Sequence, residues 1–303
     1  MIYTITLNPS IDYVMQVASF KEGAVNRAEN TMYYPGGKGI NVSRVLKRLG
    51  ADNTALGFTA GFTGDFIKAR LIEEQVSVQL IEVEGNSRIN VKLKADEETE
   101  INGTGPIVDE DAEIRLIEQL DKLKPSDYVV IAGSVPSTVP ATIYRTIMKK
   151  CNEHEAKVVV DTGGSLLKDL LAYKPFLIKP NHHELGDLFG VSIRSKEEAI
   201  EYAGKIHEQG VENIVVSMAG EGALLYSNSG IFIAKAPKGN VKNSVGAGDS
   251  LVAGFLAGYL QHNNIAEALQ YGIASGSATA FSDDLCQKEE VENLLQAVTI
   301  EKL

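Results

Sequence analysis

Two glycine-rich clusters carry the chemistry that can be read from this sequence. The later one is Asn243-Ser244-Val245-Gly246-Ala247-Gly248-Asp249-Ser250, which runs directly into an apolar stretch of helical character at 251–260. Gly-Ala-Gly at a helix start turns the backbone N–H groups of Gly246, Ala247 and Gly248 toward one point, with the helix dipole behind them. Such a pocket suits charge developing on a transferring phosphoryl group. Asp249 lies in the same turn. Its carboxylate is either an ordinary helix-capping group or a general base that removes a proton from an attacking hydroxyl. The bare motif does not choose between them.

The earlier cluster is Pro35-Gly36-Gly37-Lys38-Gly39-Ile40-Asn41-Val42. Its glycines let the backbone approach a ligand closely, and Lys38 and Asn41 offer donors at a helix start, which favours anions and sugar hydroxyls. A loop whose glycines only solve a turn would look the same. A third element, Lys179 to Glu184, enters a helix with Asn181 and Glu184 at the spacing of an N-cap and its partner three residues on. Two common nucleotide signatures are missing: there is no G-x-x-x-x-G-K-[ST], and no G-x-G-x-x-G follows the first strand.

Elements to position these residues follow from the apolar pattern. Val- and Ile-rich runs at 2–7, 54–58, 128–132, 157–161, 176–178 and 213–217 lack alternation, as expected of strands buried on both faces. Amphipathic stretches between them predict helices at 40–49, 64–74, 109–122, 140–153, 184–189 and 195–209, with Ser195 and Glu198 at capping-box spacing. Strand–helix alternation implies a mostly parallel sheet with helices on both faces. Beyond Gly222 a hairpin (223–226 and 231–234) and three helices (247–261, 265–280 and 288–297) are expected. Two stretches break the pattern. Residues 13–20 with 25–34, and 88–95 with 99–102, read as strands of a small projecting sheet. One apolar face of that sheet needs a ligand or a second subunit to cover it.

The charge balance excludes some functions. Lys and Arg total 29 against 40 Asp and Glu, a formal net charge of −11, which argues against a non-specific binder of nucleic acid or anionic membranes. An anionic small molecule remains compatible, because a local cluster of cations and N–H groups can act inside an acidic protein. The two cysteines, Cys151 and Cys286, are far apart and fit a reducing compartment. No apolar run approaches a membrane span. The first residues lack a basic region and a long apolar core, so no signal peptide is expected and the cytoplasm is the default location.

The two clusters together are more specific than either alone. Residues 36–50 (GGKGINVSRVLKRLG) and 243–255 (NSVGAGDSLVAGF) resemble the two signatures of the ribokinase-like sugar kinases, also called the PfkB family. The resemblance extends over essentially the whole chain, through Asn8-Pro9-Ser10-Ile11-Asp12, Gly133-Ser134-Val135-Pro136 and the Asn-x-x-Glu element Asn181-His182-His183-Glu184. TLNPSIDY, YPGGKGINVSRVLKRLG, RINVKLK and EINGTGP resemble bacterial members that act on fructose 1-phosphate. Kinases of tagatose 6-phosphate or fructose 6-phosphate are the alternative.

The resemblance implies an α/β ribokinase-like core, with a mostly parallel sheet flanked by helices. It implies one kinase domain over 1–303 and a β-clasp lid formed by about 13–34 and 88–102. It implies an ATP- and Mg²⁺-dependent enzyme that phosphorylates fructose 1-phosphate at its C6 hydroxyl, giving fructose 1,6-bisphosphate and ADP. Asp249 would be the base, with Gly246, Ala247 and Gly248 as the anion hole. Asp12, Gly37 and Asn41 would face the sugar, and Lys38 and Arg88 would meet its phosphate. Ser137 is a further phosphate donor. Arg27 would reach the neighbouring subunit's site in a homodimer built through the clasp. On the nucleotide side, Lys179 and Asn181 would contact the ATP phosphates, and Glu184 would act on Mg²⁺ through its water shell. Ser217, Met218, Ala219, Gly220, Glu221 and Gly222 would form the edge of the ATP site, with the adenine near Ser275. A non-catalytic sugar-phosphate sensor would lack the base or the anion loop, and a structural protein would not need two such loops.

Overall fold

Runs of Val and Ile become strands that bury alternate side chains in two different cores. In the computed structural model, which describes residues 1–303, Val129 and Ile131 point to one core while Tyr128, Val130 and Ala132 point to the other. The first half of the chain supplies β1 (Ile2–Thr6), β2 (Ser10–Gln16), β3 (Asn30–Gly36), α1 (Lys38–Arg48), β4 (Asn53–Thr59), α2 (Gly61–Glu73), β5 (Ser77–Glu82), β6 (Arg88–Lys94), β7 (Glu98–Asn102) and α3 (Glu110–Glu118). There follow β8 (Tyr128–Ala132), α4 (Ile143–Glu153), β9 (Lys157–Asp161), α5 (Gly164–Leu170), β10 (Leu177–Ile178), α6 (His182–Phe189), α7 (Lys196–His207) and β11 (Asn213–Ser217). The last part contains β12 (Ala223–Ser227), β13 (Gly230–Lys235), α8 (Ala247–His262), α9 (Ile265–Phe281), α10 (Lys288–Leu295) and β14 (Thr299–Lys302).

Ten strands form one sheet in the order β14-β13-β12-β11-β10-β9-β8-β1-β4-β5. The seven from β11 to β5 run parallel, and β12, β13 and β14 add an antiparallel edge. Helices α3 to α7 cover one face, and α1, α8, α9 and α10 cover the other. Each fully buried Val, Leu or Ile contributes about 1.5–3 kcal/mol relative to exposure, so both layers are firmly held. No helix is long and apolar enough to cross a membrane.

A second sheet of four strands, in the order β3-β2-β6-β7, stands apart from the first. Strands were expected there at 13–20 and 25–34, but β2 and β3 are shifted. The pairing register runs from Ser10 opposite Gly36 to Gln16 opposite Asn30, so the strands start and finish nearer the core. Residues 17–29 are the loop between them, and its apolar Phe20 and Val25 are exposed. Asp12 therefore lies within a strand and not in a turn. Strand β2 also pairs parallel with β6, about eighty residues along the chain, a non-local contact that no local pattern reports. Sequence reading missed β5, α5 and β14. Ser195 does cap α7, accepting from the Glu198 N–H at 3.1 Å, while Glu198 accepts from Arg194.

Candidate active site

The parallel strands β1, β8 and β9 end at one cleft beneath the four-stranded sheet. It has a volume of about 550 Å³, and Thr6, Lys38, Arg88, Gly133, Ser134 and Thr162 line it. Carboxyl ends of parallel strands are where α/β sheets bind ligands. Helix α1 begins here and α8 begins beside it, joined through Asn41 and Asp249, each behind a glycine N-cap: Gly37 (φ +104°) and Gly246 (φ +79°).

Gly246 occupies the N-cap of α8 and no side chain caps that helix, so Asp249 is not a capping residue. Its Oδ2 instead accepts a hydrogen bond from Asn41 Nδ2 at 2.8 Å, joining α8 to α1. The carboxylate is 6% exposed. Burial, and then the negative charge of Asp161, push its carboxyl up to about 6, while Lys38, the Asn41 bond and Lys179 pull it down. A carboxylate in that range is still ionised at neutral pH and more basic than an ordinary one, which suits proton removal. Within the anion loop, Ala247 N–H closes a turn on Ser244 O at 3.3 Å, and Ser250 N–H is the first to bond back to Gly246 O. The N–H groups of Gly248 and Asp249 lie ahead of that first rung.

Lys179 is not a surface lysine. It is 7% exposed, and its Nζ stands 3.3 Å from Asp161 Oδ1. The same amine lies 3.2 Å from where a Cβ on residue 248 would be, so glycine at 248 admits this cation to the anion loop. Lys38 Nζ donates to the same Asp161 oxygen at 3.0 Å. The Asp161 charge holds the Lys38 ammonium above the usual lysine range, against the effect of burial. Burial alone would raise the Asp161 carboxyl, but Lys179 and Lys38 outweigh it and hold it below the usual range. Sequence reading missed Asp161. The only available signal was its place at the end of a Val-rich strand, just before Thr162-Gly163-Gly164.

Asn181 and Glu184 form a capping box: Glu184 N donates to Asn181 Oδ1 and Asn181 N donates to Glu184 Oε2, each at 2.8 Å. The other Glu184 oxygen, Oε1, lies 3.2 Å from a Cβ built on Gly163. Asn181 also bridges Ser217. Beyond it, Met218 to Gly222 close a tight turn in which Ala219 takes a left-handed φ of +49°. The structure thus brings 217–222 beside the start of α6.

Asp12 and Asn41 line a second, smaller cavity with Arg44, Lys92 and Asp284, and there Asp12 Oδ1 accepts from Ser10 Oγ at 2.8 Å and from Asn90 Nδ2 at 3.2 Å. The Asp12 carboxylate rests against Gly36, where any Cβ would collide with it. Arg88 Nε donates to Asn8 O at 3.0 Å. The guanidinium is partly buried, and no carboxylate lies within ion-pair distance of it. A cation placed like this favours an incoming anion.

Three expected site residues lie elsewhere. Ser275 is fully buried between α8 and α9, its hydroxyl turned toward Gly254 and not toward the cleft surface. Ser137 is exposed and does not line the cleft; Gly133 and Ser134 of the same loop do. Arg27 is exposed on the 17–29 loop, away from this chain's own cleft.

The model of the pfkB family carbohydrate kinases matches residues 5–290. The chain is 51% identical, over 100% of both sequences, to the 1-phosphofructokinase of Bacillus subtilis. It is 37% identical, again over 100% of both, to the D-tagatose-1-phosphate kinase of Bacillus licheniformis. A crystal structure of a putative phosphofructokinase from Staphylococcus aureus superposes with a TM-score of 0.89 at 42% identity, covering 100% of this chain and 99% of that one. With the buried Asp249 carboxylate, the glycine-capped start of α8 and the Lys38–Asp161–Lys179 cluster gathered at the ends of the parallel strands, and with a family match over residues 5–290 and relatives along its whole length, the chain belongs to the pfkB family of carbohydrate kinases.

Proposed function

We propose that the chain transfers the γ-phosphoryl group of ATP to the C6 hydroxyl of fructose 1-phosphate, giving fructose 1,6-bisphosphate and ADP. The observation that carries this reading is the buried Asp249 carboxylate beside the anion loop, with Lys38 and Arg88 lining the cleft before it. Asp249 takes the hydroxyl proton, and the oxygen attacks the γ-phosphorus. The Ala247 N–H is taken by Ser244 O, so the N–H groups of Gly248 and Asp249, with the Lys179 ammonium, stabilise the charge that develops. Asp12 and Asn41 orient the sugar hydroxyls, Arg88 holds the phosphate at the far end, and Lys38, which shares Asp161 with Lys179, stands on the acceptor side of the transferring group. Asn181 and 217–222 supply the nucleotide side. Glu184 fits a role near the Mg²⁺ of MgATP, because its Oε1 is left over from the capping box and faces the loop after β9. That cation would neutralise part of the charge on the ATP phosphates. Charged sugar phosphates and ATP are held inside cells, which supports a cytoplasmic location.

The two named relatives support C6 as the acceptor. Fructose 1-phosphate and tagatose 1-phosphate are ketohexoses with the phosphate on C1, differing at C4. In both, the free hydroxyl at the far end is that of C6. Tagatose 6-phosphate and fructose 6-phosphate reverse that arrangement. The expected result is ADP release that depends on added fructose 1-phosphate; a chain that phosphorylates no ketohexose phosphate would contradict the reading.

The four-stranded sheet acts as a lid on this single kinase domain and as its dimer contact. Its outer face stacks Tyr13 on Tyr33 with ring centroids 4.4 Å apart. Tyr33, Ile89 and Ile101 on that face are 49%, 40% and 61% exposed. A second copy packed by two-fold symmetry would cover them and bring Arg27 toward the partner's cleft. Sedimentation at micromolar concentration should therefore show a dimer. A fully active monomer would rule out this assembly.

A further inference from the structure

Asp161 is the most buried carboxylate of the cleft, at 1% exposure. One of its oxygens, Oδ1, is shared by two ammonium groups, Lys38 Nζ at 3.0 Å and Lys179 Nζ at 3.3 Å. The other, Oδ2, is buried without a hydrogen-bond partner. A carboxylate at this depth is costly unless it is paired, and two ammonium groups this close repel unless an anion lies between them. Each requirement meets the other. The lysines serve different substrates: Lys38 lines the acceptor cleft, and Lys179 lies against the anion loop at Gly248.

We infer that Asp161 is a positioning residue for phosphoryl transfer, holding an acceptor-side and a donor-side cation together beside the path of the moving group. The inference rests on the proposed kinase reading of the same cleft. The transferred group spreads its charge over three oxygens. Cations already fixed in place stabilise it without reorganising during the reaction. Without Asp161 the two ammonium groups would separate.

The test compares Asp161→Asn and Asp161→Glu with the wild type in steady-state kinetics, using the wild type's best acceptor from a panel of ketohexose phosphates. That choice separates the two readings, since failure of fructose 1-phosphate as acceptor would leave the Asp161 result standing. Asp161→Asn removes the charge and should lower kcat roughly 10²-fold, as a misplacement of about 1 Å can, with both KM values within a few-fold of wild type. Asp249 is surrounded by the charges of Asp161, Lys38 and Lys179. Losing Asp161 therefore lowers the Asp249 proton affinity, and the acid limb of the kcat profile should move to lower pH. Asp161→Glu keeps the charge but displaces the oxygen, so kcat should fall while the acid limb stays in place. It also decides the matter if the Asn variant does not fold. A folded variant with kcat within threefold of wild type overturns the inference, whether or not its melting temperature falls. So does a rise in either KM with kcat unchanged, which would make Asp161 a binding residue only.

Discussion

Replacing Asp249 with Asn should lower kcat by about 10²–10⁴-fold, the usual worth of a general base, while sugar and ATP binding survive. Asn keeps the shape of the side chain, and its carbonyl oxygen can still accept the bond that Asn41 Nδ2 now gives at 2.8 Å. Only the ability to take a proton is lost. A capping role would predict a fall in stability instead, but Gly246 is the N-cap of α8. The pH profile gives a second signature. The base must be ionised to work, and its carboxyl is pushed up to about 6, first by burial and then by Asp161. Wild-type kcat/KM should therefore drop as the pH falls through about 6, and the residual activity of the variant should lack that limb. A variant that keeps kcat within a few-fold of wild type would reduce Asp249 to a structural carboxylate.

Arg88→Ala should raise KM for the sugar phosphate far more than for ATP. The guanidinium is anchored by its Nε on Asn8 O at 3.0 Å, which leaves its terminal nitrogens for an anion. Loss of a charge-assisted hydrogen bond costs about 1.5–3 kcal/mol, or roughly 10- to 150-fold in affinity. Free fructose lacks the phosphate that Arg88 would hold and should be a very poor substrate. Lys38 already has Asp161 as a partner, so Arg88, which has none, should show the larger single effect. If Arg88→Ala left KM for the sugar phosphate unchanged, or if free fructose matched its phosphate, the phosphate would have to bind elsewhere.

What could be read from the sequence follows from how each part is buried. The strands expected at 128–132, 157–161 and 213–217 coincide with β8, β9 and β11. Strands covered on both faces leave an unbroken apolar signature. The lid strands have one covered face and a register set by partners far along the chain, so their limits slid by several residues. Phe20 and Val25 look like strand residues and are exposed loop residues. The anion loop and the Lys38 loop were visible because glycines at a helix start have a local cause. Asp161 was not visible, because an aspartate at a strand end is common and its two lysines arrive only with the fold. The burial of Ser275 was not visible for the reverse reason: small residues at a helix–helix contact and small residues facing a ligand look alike in sequence.

The position of the substrate phosphate decides which hydroxyl meets Asp249. The direct measurement is kcat/KM at fixed MgATP for fructose 1-phosphate, tagatose 6-phosphate and fructose 6-phosphate. With the phosphate on C1 held by Arg88, the C6 hydroxyl is the one presented to the base, so fructose 1-phosphate should have the highest value. A clear win for either 6-phosphate would contradict this, because the hydroxyl at Asp249 would then be the one on C1.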